Sequence, residues 1–193
     1  MKLNESVFEK FPVLKTKRLV LTQITPEAGE AIYKMRSNGR VNQFIPRATM
    51  ETIEQGEELA KKTQEAYCNK TALGWAGILR GEGEIIGTCG FNSIDFYNFR
   101  AEIGGEMDVK YWGKHIAQEA VEAIIHFGLN TLNLHTIEAK VSPNNRRAIF
   151  VLTELGFVQE ALYKDRVYYK SKFDDMAVFT LHKGNEKYHR LAF

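Results

Sequence analysis

Three consecutive segments with the composition of strands occupy the middle of the sequence. They cover residues 72–79, 84–92 and 101–109, and Gly81 and Gly83 lie between the first two. Three strands joined by short connections are typical of an antiparallel meander, in which each strand pairs with the next along the chain. A chain of 193 residues is long enough to cover such a sheet within one domain.

Helical and strand patterns flank these central strands. Before them we predict a strand over 18–24 and helices over 26–36 and 49–67. After them, the sequence predicts a helix (115–129), a strand (135–141), a helix (145–155) and two strands (157–162 and 176–181). This order predicts an α/β (α+β) fold with a central mixed, mostly antiparallel sheet of about seven strands and helices on both faces.

No repeat or linker-like segment interrupts this pattern. We therefore expect a single domain over residues 1–193, with a core of about 16–182 and a C-terminal tail at 183–193.

Composition excludes several classes of function. The chain has 26 Lys and Arg against 24 Asp and Glu, a net charge of +2, so we expect no nucleic-acid or membrane partner. Its two cysteines, Cys68 and Cys89, match no zinc motif and no disulfide framework, so no metal is expected. Residues 1–14 lack the continuous apolar stretch of a signal peptide, and we expect a cytoplasmic protein.

The segment from Met107 to Ala120 is the part of the sequence most suggestive of chemistry. A strand is followed by a short loop with Gly113 and then by a helix with a strongly apolar face. The first amides of a helix lack partners within the helix, and they attract anions such as phosphate. Gly113 has no Cβ to obstruct a ligand, and Lys114 can add a charged contact. An ordinary strand-to-helix turn is the alternative.

The same segment resembles the acetyl-CoA signature of the GNAT N-acetyltransferase superfamily, Q/R-x-x-G-x-G/A, which here is Lys110 to His115. The whole chain resembles the RimJ/RimL group of that superfamily, whose first strand carries T-x-R-L-x-L, here Thr16 to Leu21. Further matches follow in the expected order: Ile85 to Gly90, Ala101 to Gly104, Ala117 to Ala120, Asn145, Leu155 to Phe157, and Asp175.

The resemblance implies a GNAT-like fold and transfer of an acetyl group from acetyl-CoA to a primary amine, by direct attack and without a covalent enzyme intermediate. The acceptor is then a protein N-terminus or a small-molecule amine, and the protein a monomer or homodimer. A backbone N–H of Met107 or Val109 is implied to stabilise the oxyanion. The other implied cofactor-binding residues are Gly113, Lys114, His115, Ile116, Ala117 and Asn145.

Three departures from the family pattern stand out. His115 replaces the second glycine, where it can crowd the pyrophosphate, although a His with negative φ still presents its N–H. Lys110 replaces the usual Gln or Arg. Ala148 and Leu152 occupy positions where relatives carry a Ser or a Tyr proposed to protonate the leaving thiolate, so the sequence names no general acid.

Glu102 and Glu106 are the candidate catalytic residues, because they share a face of the predicted strand if that strand is regular. There they can orient a cationic amine or accept its proton through water; solvated strand residues are the alternative. Asn145 is a favoured helix cap as well as an implied CoA contact, and both roles are compatible.

Two other functions remain open at this point. The missing acid motivates an acyl-CoA-binding regulatory module without catalytic activity. A mixed α/β ligand-binding domain that does not use CoA is the third alternative.

Overall fold

A computed structural model describes residues 2–184 of the protein. The strands are β1 (Leu14–Lys15), β2 (Leu19–Gln23), β3 (Leu73–Leu79), β4 (Ile85–Asp95), β5 (Arg100–Met107), β6 (Thr136–Val141), β7 (Val158–Tyr169) and β8 (Lys172–His182). The helices are α1 (Gly29–Arg36), α2 (Ile53–Cys68), α3 (Ile116–His126) and α4 (Arg146–Glu154).

The observed elements agree with the predicted ones in some places and differ in others. The strand predicted over 18–24 is β2, and the helix predicted over 145–155 is α4. The final two strands are longer than predicted, since β7 and β8 form a hairpin from Val158 to His182. The two-residue strand β1 was not predicted.

The eight strands form one sheet in the order β1-β2-β3-β4-β5-β6-β8-β7. Every neighbouring pair is antiparallel except β5 and β6, which are parallel. The predicted mixed, mostly antiparallel sheet is therefore confirmed, with eight strands instead of about seven.

The parallel strands β5 and β6 separate soon after they meet. They pair only from Arg100 opposite Thr136 to Glu102 opposite Glu138. Beyond that point β5 continues to Met107 and β6 to Val141 without pairing to each other. The sheet thus contains a cleft that opens toward the loop before α3.

Helices cover both faces of the sheet. On one face α3 contributes Ile116, Ile124 and Ile125 to the main core, which also contains Trp75. On the other face a smaller cluster joins α1 and α2 to β3 and to Ile24, the residue that follows β2. Gly56 of α2 lies directly against the carbonyl oxygen of Gly29 of α1, so these helices approach closely.

Strand β5 is shorter than predicted. The strand predicted over 101–109 ends at Met107, because Asp108 caps a short 3-10 turn over Val109–Tyr111 by accepting a hydrogen bond from the Lys110 N–H.

Of the predicted tail at 183–193, all but residues 183 and 184 lies outside the described residues. No helix within residues 2–184 combines the length and apolarity needed to cross a membrane.

Candidate active site

The loop that opens the cleft contains two residues with left-handed backbone. Gly113 has φ +74° and His115 has φ +56°. A negative φ at His115, with which we expected this residue to present its N–H, is wrong. His115 adopts the left-handed conformation that a glycine adopts more easily. Gly113 has open space where a Cβ would lie, so its backbone conformation, and not crowding, favours glycine there.

The first turn of α3 presents amides without acceptors. Among residues 2–184, no hydrogen bond uses the N–H groups of Ile116, Ala117 or Gln118, and the first amide bonded to the chain is that of Glu119, to the His115 carbonyl at 3.3 Å. The Ile116 side chain is buried in the core, so its backbone is the part that faces the loop. Lys114 is exposed, with Nζ 5.4 Å from the Tyr111 ring centroid. These features suit an anion such as a phosphate.

Arg18 fixes the direction of the loop peptides. Its Nη1 donates to the Lys114 carbonyl at 2.8 Å, and its Nη2 donates to the His115 carbonyl at 3.1 Å. In a trans peptide the carbonyl and the following N–H point in opposite directions. Holding these two carbonyls against Arg18 therefore directs the amides of His115 and Ile116 away from it.

Glu119 of α3 holds Arg18 in place. Its carboxylate accepts from Arg18 Nε at 2.7 Å, from the Arg18 backbone N–H at 2.7 Å and from the Thr16 hydroxyl at 2.5 Å. Burial opposes ionisation of Glu119, but these hydrogen bonds outweigh it and lower its pKa below the usual value. The T-x-R-L motif and Glu119 were recognised in the sequence without a role, and this contact supplies one.

The cleft wall on the β5 side ends at Met107. The Met107 carbonyl accepts a hydrogen bond from Trp112 Nε1 at 2.9 Å. Val109 lies in the 3-10 turn and not in the strand. Between the two oxyanion candidates, only Met107 therefore belongs to the cleft strand.

Across the cleft, Asn145 caps α4. Its side chain accepts from the Ala148 N–H at 3.2 Å, so the cap role is observed. Next to it, the Arg147 guanidinium lies 4.9 Å from the Trp112 ring centroid, and that of Arg40 lies 5.5 Å from the same ring. Trp112 thus joins the loop before α3 to α4 and to the α1–α2 loop.

The two predicted carboxylates share a face of β5 but have separate partners. The register shift in this part of the sheet lies on β4, between Phe91 and Ser93, and β5 is regular from Glu102 to Met107. Glu102 pairs with Lys140 of β6 at 2.6 Å. Glu106 is more buried, and its carboxylate binds Arg36 at 2.6 Å and also Arg47.

Asn42 and Tyr169 complete the surroundings of Glu106. Asn42 donates to the Arg36 carbonyl at 2.6 Å and accepts from Arg47 Nε at 2.8 Å. The Tyr169 hydroxyl donates to the Arg47 carbonyl. Sequence reasoning missed Arg36, Arg47 and Asn42, because they follow no motif and meet only in the folded chain.

The parallel strands β5 and β6 separate beside the unpartnered amides of α3, and this geometry suits an extended ligand with a phosphate group. A family model described as an acetyltransferase (GNAT) domain matches residues 18–158. The chain belongs to the GNAT acetyltransferase family. As a member of that family, it is an acyltransferase.

Individual relatives agree with this GNAT assignment. An uncharacterised N-acetyltransferase, p20 of Bacillus licheniformis, is 34% identical over 170 residues, which cover 88% of this chain and 96% of the relative. The ribosomal-protein-serine acetyltransferase of Escherichia coli is 28% identical over 127 residues, 65% of this chain and 71% of that protein. RimJ of Mycobacterium smegmatis, solved with CoA-disulfide, has a TM-score of 0.82 at 19% identity and covers 93% of both chains.

Proposed function

We propose that this GNAT protein transfers an acetyl group from acetyl-CoA to a primary amine of a protein N-terminus or a small molecule. The observation that carries the proposal is the pair of loop carbonyls bound to Arg18, which turns the amides of His115 and Ile116 away from Arg18 and leaves them free for a ligand. In this proposal the amides of Gly113 to Ala117 bind the pyrophosphate, with Lys114 adding charge.

The transfer forms a bond between the amine nitrogen and the acetyl carbon and breaks the bond between that carbon and the CoA sulfur. The ammonium form of the acceptor first loses a proton, because only the free amine has a lone pair for attack. The Met107 backbone N–H is proposed to stabilise the oxyanion that forms. After the attack the nitrogen gives its second proton to water, which makes the product a neutral amide. A thiol has a pKa of about 8.5, so the thiolate leaves without an obligatory acid and takes a proton from water, and the net release is the one proton that the ammonium lost.

The two carboxylates of β5 take different roles in this proposal. Both oxygens of Glu106 already accept hydrogen bonds from arginines, which supports a positioning role. Glu102 has one cationic partner and a side chain that is 27% exposed, so it is the better candidate to receive the amine proton through water.

An acetyl-CoA consumption assay across small amines and N-terminal peptides tests the proposal, together with calorimetric titration of acetyl-CoA. Turnover that Arg18→Gln reduces and Arg80→Gln does not would support it; Arg80 is exposed and outside the loop. Binding of acetyl-CoA without turnover on any amine would favour the regulatory alternative. Absence of binding would overturn both.

A further inference from the structure

The arginines beside Glu106 exceed the charge needed to neutralise it. Arg36 and Arg47 both bind the same carboxylate, whose side chain is only 4% exposed. One guanidinium balances one carboxylate, so this trio carries an excess positive charge. Residues 37–50 of the α1–α2 loop contribute Arg40 as well and contain no acid.

This excess charge is costly because the arginines are partly removed from water. Burial lowers the pKa of Arg47, attraction to Glu106 opposes this, and the neighbouring Arg36 lowers it further. Removing charges from water costs free energy unless they are paired. An anion placed against the arginines would reduce that cost.

The arginines remain reachable and are held in position. The Arg36 side chain is 25% exposed and that of Arg47 is 19% exposed. Within residues 2–184, the only hydrogen bond donated by the Arg36 side chain runs from Nε to Glu106. Asn42 holds both arginines in place, because it donates to the Arg36 carbonyl and accepts from Arg47 Nε. Since the Arg36 side chain uses only Nε within residues 2–184, its Nη atoms are available to an oxyanion.

The cluster also lies at the cleft. Glu106 is on β5, one residue before Met107, on the face opposite the α3 core. A further cation is close by, since Lys170 Nζ lies 5.4 Å from the ring centroid of Tyr169, whose hydroxyl donates to the Arg47 carbonyl.

We infer that the acceptor amine carries an anionic group, a carboxylate or a phosphate, which binds Arg36 and Arg47 on the α1 side of the cleft. This inference rests on the proposed function, because it assigns the acceptor of that same site. Glu106 and Asn42 act as positioning residues for the two arginines.

Matched acceptor pairs that differ only in the anion test the inference. We would compare L-serine with L-serinamide, O-phosphoethanolamine with ethanolamine, and the amidated peptides Ser-Asp-Glu-Ala and Ser-Asn-Gln-Ala. We expect kcat/KM to favour the anionic member of at least one pair by about 10-fold or more. The pair that responds distinguishes a carboxylate from a phosphate.

Variants connect that preference to the cluster. Arg36→Gln should reduce the preference toward unity while the KM for acetyl-CoA stays the same, and Arg36→Lys should retain part of it. Lys34→Gln is the matched control, because Lys34 is exposed on the same helix and pairs with Glu30. Equal rates for both members of every pair, or an unchanged preference in Arg36→Gln, would overturn the inference.

Calorimetry separates this inference from the proposed function. The acceptor pairs are titrated with and without CoA, so selective binding of the anionic member can be read even if acetyl-CoA does not bind. Selective binding that Arg36→Gln abolishes supports the inference. Equal binding, or no binding of any anionic member, counts against it whatever the result with acetyl-CoA.

Discussion

The Nε atom of Arg18 lies 2.7 Å from Oε2 of Glu119. Because Arg18 directly precedes β2, this contact joins the start of that strand to helix α3. Through the same side chain, the loop carbonyls of Lys114 and His115 are bound to the sheet. The geometry of the loop therefore depends on residues about 100 positions earlier in the chain.

Arg18→Gln should weaken binding of CoA by about 10- to 100-fold, because it removes charge-assisted hydrogen bonds to two loop carbonyls. Calorimetric titration with CoA measures the change. Arg80→Gln removes a nearby exposed arginine and should leave the affinity unchanged. Equal losses in both variants would show that general positive charge, and not loop geometry, determines affinity.

Acid should destabilise the protein through Glu119. The pKa of Glu119 is lower in the folded chain than its ordinary value of 4.5, so its contribution is complete above about pH 4.5 and is lost as the pH falls through the folded pKa. Urea unfolding from pH 7 to pH 3 measures this for the native chain and for Glu119→Gln. The stability difference between them should shrink below about pH 4.5; a constant difference would contradict the assignment.

His115→Gly should stabilise the protein by about 0.5–1 kcal/mol, because relief of a left-handed non-glycine residue exceeds the entropy that glycine adds to the unfolded chain. CoA affinity should be equal or higher. Lys114→Gly is the control for stability, since Lys114 has no positive φ, and it should destabilise. A clear loss of CoA affinity in His115→Gly would instead indicate a specific contact of the imidazole.

Glu106→Gln should cost about 2–3 kcal/mol of unfolding free energy, because it leaves two partly buried arginines without their carboxylate. Glu102→Gln on the same strand is the matched control. The Glu102–Lys140 pair is more exposed and should contribute less than about 1 kcal/mol. Similar losses in urea unfolding would show that Glu106 is not the more important of the two.

Gly56→Ala should destabilise the protein although alanine favours helices by about 1 kcal/mol. A Cβ at position 56 would overlap with the Gly29 carbonyl oxygen, and overpacking of this kind costs about 1–3 kcal/mol or more. Glu58→Ala, at an exposed position of α2, is the control and should change stability little. A stabilised Gly56→Ala would show that α1 can move away from α2.

The sequence predicted elements where one local pattern was enough. The strongly apolar face predicted for the helix after Gly113 is the buried face of α3, which includes Ile116 and Ile124. The glycine at position 56, inside α2, has no explanation in the neighbouring sequence. Its cause is the close contact with α1, which leaves no room for a Cβ. The short β1 was missed for a related reason, since two residues carry no periodicity.

The candidate site was predictable where motifs apply, and of the cluster around Glu106 the sequence named only Glu106 itself. Motifs with fixed spacing pointed to Gly113 and Asn145 because those residues lie in one loop and at one helix start. Arg36, Arg47 and Glu106 come from three separate parts of the chain, and only the folded sheet brings them together.

Arg47 is attached at two points to different strands. Its side chain binds Glu106 of β5, and its carbonyl accepts from Tyr169 of β7. The α1–α2 loop is consequently attached both to the centre of the sheet and to its edge strand β7, and we expect it to keep its position when a ligand binds. The opening beside this loop would then have a constant width, so the size of an acceptor would decide whether it enters, without any movement of the loop.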